Sequence, residues 1–253
     1  MLTATRHAEI VALARSQGQV LVEDLAGRFA VSVQTIRKDL TILAADGTLR
    51  RTHGGAIFPS SIENLEYAAR GRIASDAKQA IGRAAASIIG DDAALFINIG
   101  TTTEAVSQAL VEHRGLMVIT NNINVANHLR VRPEIEVIVA GGVVRPSDGA
   151  IVGEAAVDFI RQFKVDFAVI GASAVDADGA LLDFDLREVK VAQAIIANAR
   201  HVILVADATK FVRTAPVRIG HVSQVTTFVT DRATPALRKI CEEAGVALVE
   251  TDA

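Results

Sequence analysis

The sequence is poor in the residues that build many specialised sites. Its 253 residues hold one cysteine, Cys241, so neither an internal disulfide nor a cysteine-based zinc site can form. A reducing, cytoplasmic setting is expected. Tryptophan is absent and aromatic residues make up 4% of the chain, which argues against a base-stacking platform or an aromatic cage. No apolar run suits a membrane helix, because the longest, near Ala84 to Ile99, is cut by Asp91 and Asp92. The N-terminus MLTATRHAEI lacks the apolar core of a secretory signal. The six histidines are scattered without metal-ligand spacing and a dinucleotide-binding GxGxxG is missing. No metal and no cofactor are expected. Charge of one sign is not in excess: the net charge of −3 with 22% charged residues excludes a wholesale basic protein of the histone kind. Apolar residues are plentiful at 50% of the chain, enough for a core in one large or two unequal domains.

The chain divides on pattern. Residues 1–57 read as short helices and a hairpin, with seven Lys and Arg against five Asp and Glu. From Asp76 onward apolar strands alternate with helices, and the acidic excess lies there. Residues 58–75, with Pro59, Ser60 and Ser61, read as a linker between a first domain, 1–57, and a second, 76–253.

In the first domain a helix runs from about Thr5 to Gly18. Val22, Leu25, Ala26 and Phe29 then fall on one helical face. Ser32 is a good N-cap for a third helix, whose apolar stripe is Val33, Ile36, Leu40 and Leu43 and which stops at Gly47. Gln34, Thr35, Arg37 and Lys38 lie off that stripe at its N-terminal end, where a recognition helix presents groups that bond base edges and phosphates. Residues 48–57 read as strand, glycine turn and return strand, a basic hairpin that can follow a DNA backbone. Alone, Arg37-Lys38 or Arg50-Arg51 would be solvated surface. In this order, with cap, stop and hairpin, they point to a winged helix-turn-helix.

In the second domain seven apolar runs read as strands: Ala94–Asn98, Met117–Thr120, Glu136–Ala140, Asp166–Ile170, His201–Ala206, Gln224–Thr230 and Ala247–Glu250. Continuous apolar runs fit buried parallel strands. Helices are expected at Asp76–Ile89, Thr103–Glu112, Val125–Arg130, Glu154–Gln162, Arg187–Ala199 and Pro235–Ala244. The alternation predicts a doubly wound, mostly parallel α/β sheet, with ligands outside the carboxyl ends of its strands. At those ends stand Gly100 with Thr101, Thr102 and Thr103, then Asn121-Asn122, Gly141-Gly142, and Asp207 with Lys210. Hydroxyls, amides, glycines and a lysine suit a small, anionic, hydroxyl-rich ligand.

The run VEDLAGRFAVSVQTIRKDLTILAADGTLRRTHGGA resembles the N-terminal signature of the DeoR-family bacterial transcription regulators. The resemblance extends through NIGTTTEAV, VITNNINVA, VIVAGGVVR, DGAIVGEAA, LDFDLREVKVAQAII and VADATKF, nearly the full length. It implies a DNA-binding repressor of a carbon-catabolic regulon. Ser32, Gln34, Thr35, Arg37 and Lys38 would lie on the DNA-reading helix, with Arg50, Arg51 and His53 on the wing. It further implies an effector domain resembling ribose-5-phosphate isomerase that binds phosphorylated sugars or their breakdown products, glycerol 3-phosphate being the first choice. The effector positions would be Thr101, Thr102, Thr103, Asn121, Asn122, Gly141, Gly142, Asp183, Asp207 and Lys210. Ala208 departs from the family, where an aromatic residue or histidine is usual.

The alternatives are a sugar-phosphate isomerase-like enzyme with a fused DNA-binding module and a DeoR-family repressor that responds to another sugar phosphate. Asp183, Asp185 and Glu188 are available acids and Lys210 an available cation, yet Asp183-Phe184-Asp185 is not the isomerase acid motif, and a helix-start loop with solvated acids accounts for them better. The partners expected are operator DNA, a phosphorylated effector and further copies of the chain, as a dimer or tetramer. One winged module makes too few contacts to stand out against genomic non-specific sites. No membrane partner is expected, and a cytoplasmic, nucleoid-associated protein follows.

Overall fold

The computed structural model describes residues 3–17, 19–57 and 66–252. It divides into two units, Met1–Leu65 and Glu66–Ala253. Gly18, expected to end the first helix, and residues 58–65 of the expected linker lie outside the described residues.

The first unit runs α1 (Thr3–Gln17), β1 (Gln19–Leu21), α2 (Val22–Phe29), α3 (Val33–Ala45), β2 (Arg50–Arg51) and β3 (Gly55–Ile57). The strands form an antiparallel sheet in the order β1-β3-β2. Three short helices have no core singly. Here Ile10 and Ala14 of α1 cover Leu25 of α2 and Ile36, Leu40 and Leu43 of α3. Ser32 caps α3 as expected, its Oγ accepting from the Thr35 N–H at 3.1 Å. One buried charge joins α1 to α3. The Asp39 carboxylate accepts from Arg6 Nε at 2.7 Å and Nη2 at 3.1 Å and lies 2.9 Å from His7 Nε2. Burial alone would raise this carboxyl, but the hydrogen bonds and charges of Arg6 and His7 outweigh it and hold it low. Val33 differs from expectation. It is 38% exposed rather than part of the stripe, standing at the first position of α3 between exposed Ser32 and Gln34.

The second unit begins with α4 (Tyr67–Arg72), α5 (Ser75–Ile89), β4 (Ala94–Ile97), α6 (Thr101–Ala109), β5 (Leu116–Thr120), α7 (Ile123–Leu129) and β6 (Ile135–Val139). It continues with β7 (Val143–Val144), β8 (Ile151–Val152), α8 (Glu154–Ile160), β9 (Val165–Ile170), β10 (Ala174–Val175), β11 (Ala180–Asp183) and α9 (Leu186–Ala197). β12 (Ala199–Val205), β13 (Val217–His221), β14 (Thr227–Thr230), α10 (Pro235–Ala244) and β15 (Ala247–Glu250) complete it. The seven expected strands are the seven strands of one sheet, ordered β15-β14-β12-β9-β4-β5-β6, with every neighbouring pair parallel. Successive side chains point to opposite faces. Leu95 and Ile97 therefore pack with α5, α6 and α7 through Ile81, Val106 and Val125. Phe96 packs the other way, with α8, α9 and α10 through Val157, Ile195 and Leu237.

Two features were not foreseen. The short strands β10, β11 and β13 form a separate antiparallel sheet, and β7 pairs β8 as a hairpin. These strands are too short for their periodicity to show. The stretch 66–75, expected as linker, is structured. α4 lies there, and Tyr67 Oη donates to Glu104 at 2.5 Å within the second unit.

One contact fixes how closely α5 and α6 pack. A Cβ on Gly82 of α5 would meet the Ala105 carbonyl oxygen of α6 at 2.5 Å, so the two backbones touch only because residue 82 has no side chain. Gly82→Ala should force the helices apart and lower stability by about 1–3 kcal/mol, the usual range for overpacking. Urea unfolding checks this; an unchanged midpoint would show that the helices accommodate the methyl.

Candidate functional site

On α3, Gln34, Arg37 and Lys38 are exposed, and Thr35 is half-buried with its hydroxyl 2.9 Å from Ser32 Oγ. The Thr41 hydroxyl, one turn on, donates to the Arg37 carbonyl at 2.7 Å. Arg50 and Arg51 are exposed on β2, and His53 is exposed in the turn to β3. The N-terminal half of this helix thus displays an amide, a guanidinium and an ammonium on the side away from its core.

The second unit offers a different surface. From β4 the chain steps outward to β5 and β6, then returns to the other side of β4 and builds β9, β12, β14 and β15 outward. The strand order reverses between β4 and β9, and a crevice opens at the carboxyl ends there. It is lined by Gly100, Thr101, Thr102 and Thr103 after β4, by Gly171, Ala172 and Ser173 after β9, and by Lys210 after β12. Arg70, Asp183 and Glu188 close it down to about 30 Å³ of free interior. Gly100 caps α6, and the first intrahelical bond runs from the Glu104 N–H to the Gly100 carbonyl at 3.0 Å. The N–H groups of the first turn therefore point toward the crevice, where the helix dipole favours an anion.

The charges there are crowded. Burial pulls Lys210 down to about 7, against the attraction of Asp207 and with repulsion from Arg213, Lys78 and Arg70. Burial and then the charge of Asp183 push Glu188 up to about 8, against Arg145. Burial also raises Asp183, which accepts from the Phe184 N–H at 2.6 Å. Outside the crevice Arg145 gathers three acids. It bonds both oxygens of Asp148 at 2.8 and 2.7 Å, Asp185 at 3.0 Å and Glu188 at 2.5 Å. Among the described residues no group of three or more His, Cys, Asp and Glu is placed to hold a metal ion, and no helix is long and apolar enough to cross a membrane.

Known protein families account for both surfaces. The DeoR-like helix-turn-helix domain matches residues 6–62 and the DeoR C-terminal sensor domain matches residues 73–232. The chain belongs to the DeoR family. This DeoR-family protein is 46% identical to the glycerol-3-phosphate regulon repressor of Escherichia coli over 93% of each chain. It is 48% identical to that of Haemophilus influenzae over 89% of this chain and 88% of the other. Among solved structures, ribose 5-phosphate isomerase A from Methanocaldococcus jannaschii covers 55% of each chain at 15% identity with a TM-score of 0.41, too distant to carry an argument. These relatives, and the repressor CsqR of Escherichia coli, matched over 89–93% of this chain, are named repressors, so with the helix-turn-helix match the DeoR-family protein is a DNA-binding regulator and the isomerase alternative falls.

The sensor domain of this DeoR-family protein brings together only part of the expected effector set. Thr101, Thr102, Thr103, Asp183 and Lys210 line the crevice. Thr103 does so by backbone, since its hydroxyl donates inward to Asn98 and Gly100 carbonyls. Asn121, Asn122, Gly141 and Gly142 do not line it. They follow β5 and β6, on the far side of β4 from the reversal. The Asn122 amide caps α7 and donates to Glu104, and Asn121 donates to the Ile151 carbonyl. Gly142 has φ +146° and sits against Ile151 and Val152, so packing on β8 explains it. Asp207 is fully buried, with one oxygen bonded to Thr209. It acts on the crevice through its charge on Lys210. Sequence reading missed Arg70, Gly171, Ala172 and Ser173, and counted Glu188 only as a spare acid. A glycine directly after the apolar run Ala168–Ile170 was the available signal for one of these.

Arg37→Ala should weaken operator binding by about 1–3 kcal/mol with relaxed sequence preference if it forks onto a guanine. A phosphate contact would instead lower affinity evenly across sequences. Gel shift at fixed salt on a selected operator distinguishes these. Unchanged binding of Arg37→Ala, Lys38→Ala together would remove α3 as the reading helix.

Proposed function

We propose that the protein is a repressor that binds operator DNA as a homo-oligomer in the cytoplasm and leaves it when a small phosphorylated effector, glycerol 3-phosphate as first choice, enters the crevice. Ser32, Gln34, Thr35, Arg37 and Lys38 would face the operator, with Arg50, Arg51 and His53 along its backbone. The observation that carries the effector reading is the meeting of the α6 N-terminus with buried Lys210 at the strand-order reversal. An amide cradle and a cation suit a phosphate. The names of the relatives support glycerol 3-phosphate over other phosphorylated polyols. Release requires that the effector favour a conformation with weaker DNA affinity.

The test is a gel shift with and without glycerol 3-phosphate, alongside calorimetry with glycerol 3-phosphate and glycerol. The phosphate ester should bind and release operator, and glycerol should do neither. Equal binding of glycerol would remove the phosphate argument. Release by a different sugar phosphate alone would keep the crevice and discard glycerol 3-phosphate.

Affinity should also fall with pH. Lys210 at about 7 must be protonated to attract an anion, and Glu188 at about 8 must be protonated not to repel one. Raising the pH from 7 to 9 removes both protons, so both changes weaken binding, by about tenfold per pH unit for each proton required. Calorimetry across that window, in buffers of different ionisation heat, should show proton uptake. A flat profile would mean that neither group faces the phosphate.

A further inference from the structure

α4 is an unusual element of the second unit. None of its six residues is buried, so apolar packing does not hold it. What holds it is polar. Tyr67 Oη donates to Glu104 at 2.5 Å and accepts from Asn124 Nδ2 at 3.0 Å. Lys78 Nζ, from α5, donates to the carbonyls of Arg70 and, at 2.7 Å, Ile73. Arg70 Nη2 reaches Asp148 Oδ2 at 3.2 Å.

Arg70 is poorly satisfied for a guanidinium that is 87% covered by protein. Asp148 already has both oxygens on Arg145 at shorter range. Arg70 Nε is buried and, among the described residues, has no hydrogen-bond partner. The side chain leans over the Tyr67 ring, 5.7 Å from its centroid, and lines the crevice opposite Thr101, Thr102 and Lys210. A planar fork with unused donors, beside a lysine and a helix N-terminus, is arranged for an oxyanion with several acceptor oxygens.

We propose that Arg70 is a direct ligand of the effector's anionic group, so that effector binding is read by α4. The inference rests on the crevice being the effector site. Binding draws the guanidinium from its long contact with Asp148 onto the phosphate, and Asp148 keeps Arg145. Because α4 has no buried side chain to resist, one strong charged contact is comparable with the whole of what fixes it. In chain order α4 is the first element after residues 58–65, which follow the DNA-reading unit. A change in how firmly α4 is docked is therefore made at the start of the sensor, where the connection to that unit begins.

The experiment uses the full chain, with glycerol 3-phosphate and inorganic phosphate as probes. Calorimetry compares wild type, Arg70→Gln, Arg70→Lys and Lys210→Met, and hydrogen exchange of 67–72 is read on the same samples. Arg70→Gln should weaken binding by about tenfold or more, the loss of one charged hydrogen bond. Arg70→Lys should recover part of it, since a point charge cannot fork. Ligand should slow α4 exchange in wild type and leave it unchanged in saturated Arg70→Gln. Wild-type affinity in Arg70→Gln, or equal slowing of α4 in both, would overturn the proposal. If Lys210→Met weakens binding while Arg70→Gln does not, Arg70 is discarded and the effector site stands. Absence of binding by every protein, wild type included, would overturn the reading of the crevice and the proposal with it. Tyr67→Phe is a second variant that removes an anchor of α4 and no cation. It should speed α4 exchange in the free protein, with ligand restoring protection. Unchanged exchange would show that polar bonds do not hold α4, and would equally overturn the proposal.

Discussion

Replacing Arg145 with methionine should lower the stability of the sensor domain by about 3–5 kcal/mol, the range for removing one partner of a buried ion pair. The side chains of Arg145, Asp148 and Glu188 are 18%, 2% and 13% exposed, so solvent screens them little. Without the guanidinium, Asp148 keeps Arg70 and Asp185 keeps Arg187, and Glu188 loses the cation it pairs with. The pH dependence should steepen as well. In the native protein burial would raise Asp148, but the hydrogen bonds and charge of Arg145 hold it below the usual range. That contribution is present above the unfolded carboxylate pKa and is lost as the pH falls through the depressed one. In the variant only Arg70 and Arg187 oppose burial at Asp148 and Asp185, the folded carboxyls rise, and the loss of stability with rising pH that Glu188 already gives the native protein grows. Urea unfolding at pH 5.5 and pH 8 would read both effects. A loss under about 1 kcal/mol with no change of slope would show that the acids find other partners.

Leu40→Ala should remove about 2–5 kcal/mol from the DNA-binding unit, the range for truncating a fully enclosed leucine. Leu40 has no exposed surface and packs between α1 and α2. A small domain holds about 5–15 kcal/mol in all, so this is a large share. Operator binding should fail near 37 °C and return on cooling, because α3 still carries Gln34, Arg37 and Lys38. Arg37→Ala should stay weakened by about 1–3 kcal/mol at every temperature. Glycerol 3-phosphate binding should persist in both, since the sensor has its own core. Circular dichroism melts paired with gel shifts at two temperatures would decide it. Operator binding in Leu40→Ala that does not recover on cooling would point to a reading role for residue 40.

The seven strands of the sheet could be read from sequence because each is a continuous apolar run bounded by polar residues. The β14 strand was begun too early, at Gln224 instead of Thr227, because 222–224 form a tight turn capped by His221. The crevice was half legible. Residues at strand ends can be identified locally, and Thr101–Thr103 and Lys210 were. Which strand ends adjoin is a matter of strand order, and nothing in Asn121-Asn122 or Gly141-Gly142 says that β5 and β6 lie on the far side of β4. Arg70 was hidden for a different reason. Its helix buries no residue, so it leaves no apolar stripe, and a polar segment after Pro59 reads as linker. Asp39 shows the same limit in the first unit. A carboxylate in mid-helix gives no sign that Arg6 and His7 will enclose it.

The contact of Gly82 with Ala105 has an evolutionary consequence. Among the described glycines of the sensor, the closest approach to main chain lies where α5 meets α6, and at residue 82 any side chain collides with it. Gly171, which lines the crevice after β9, would meet an added Cβ only at ordinary van der Waals distance, 3.7 Å or more. Substitutions there would leave the position and direction of α6 fixed. A lineage built on this frame can exchange one phosphorylated inducer for another without refolding, and its members will differ most at the mouth of the crevice and least at the glycine that no ligand touches.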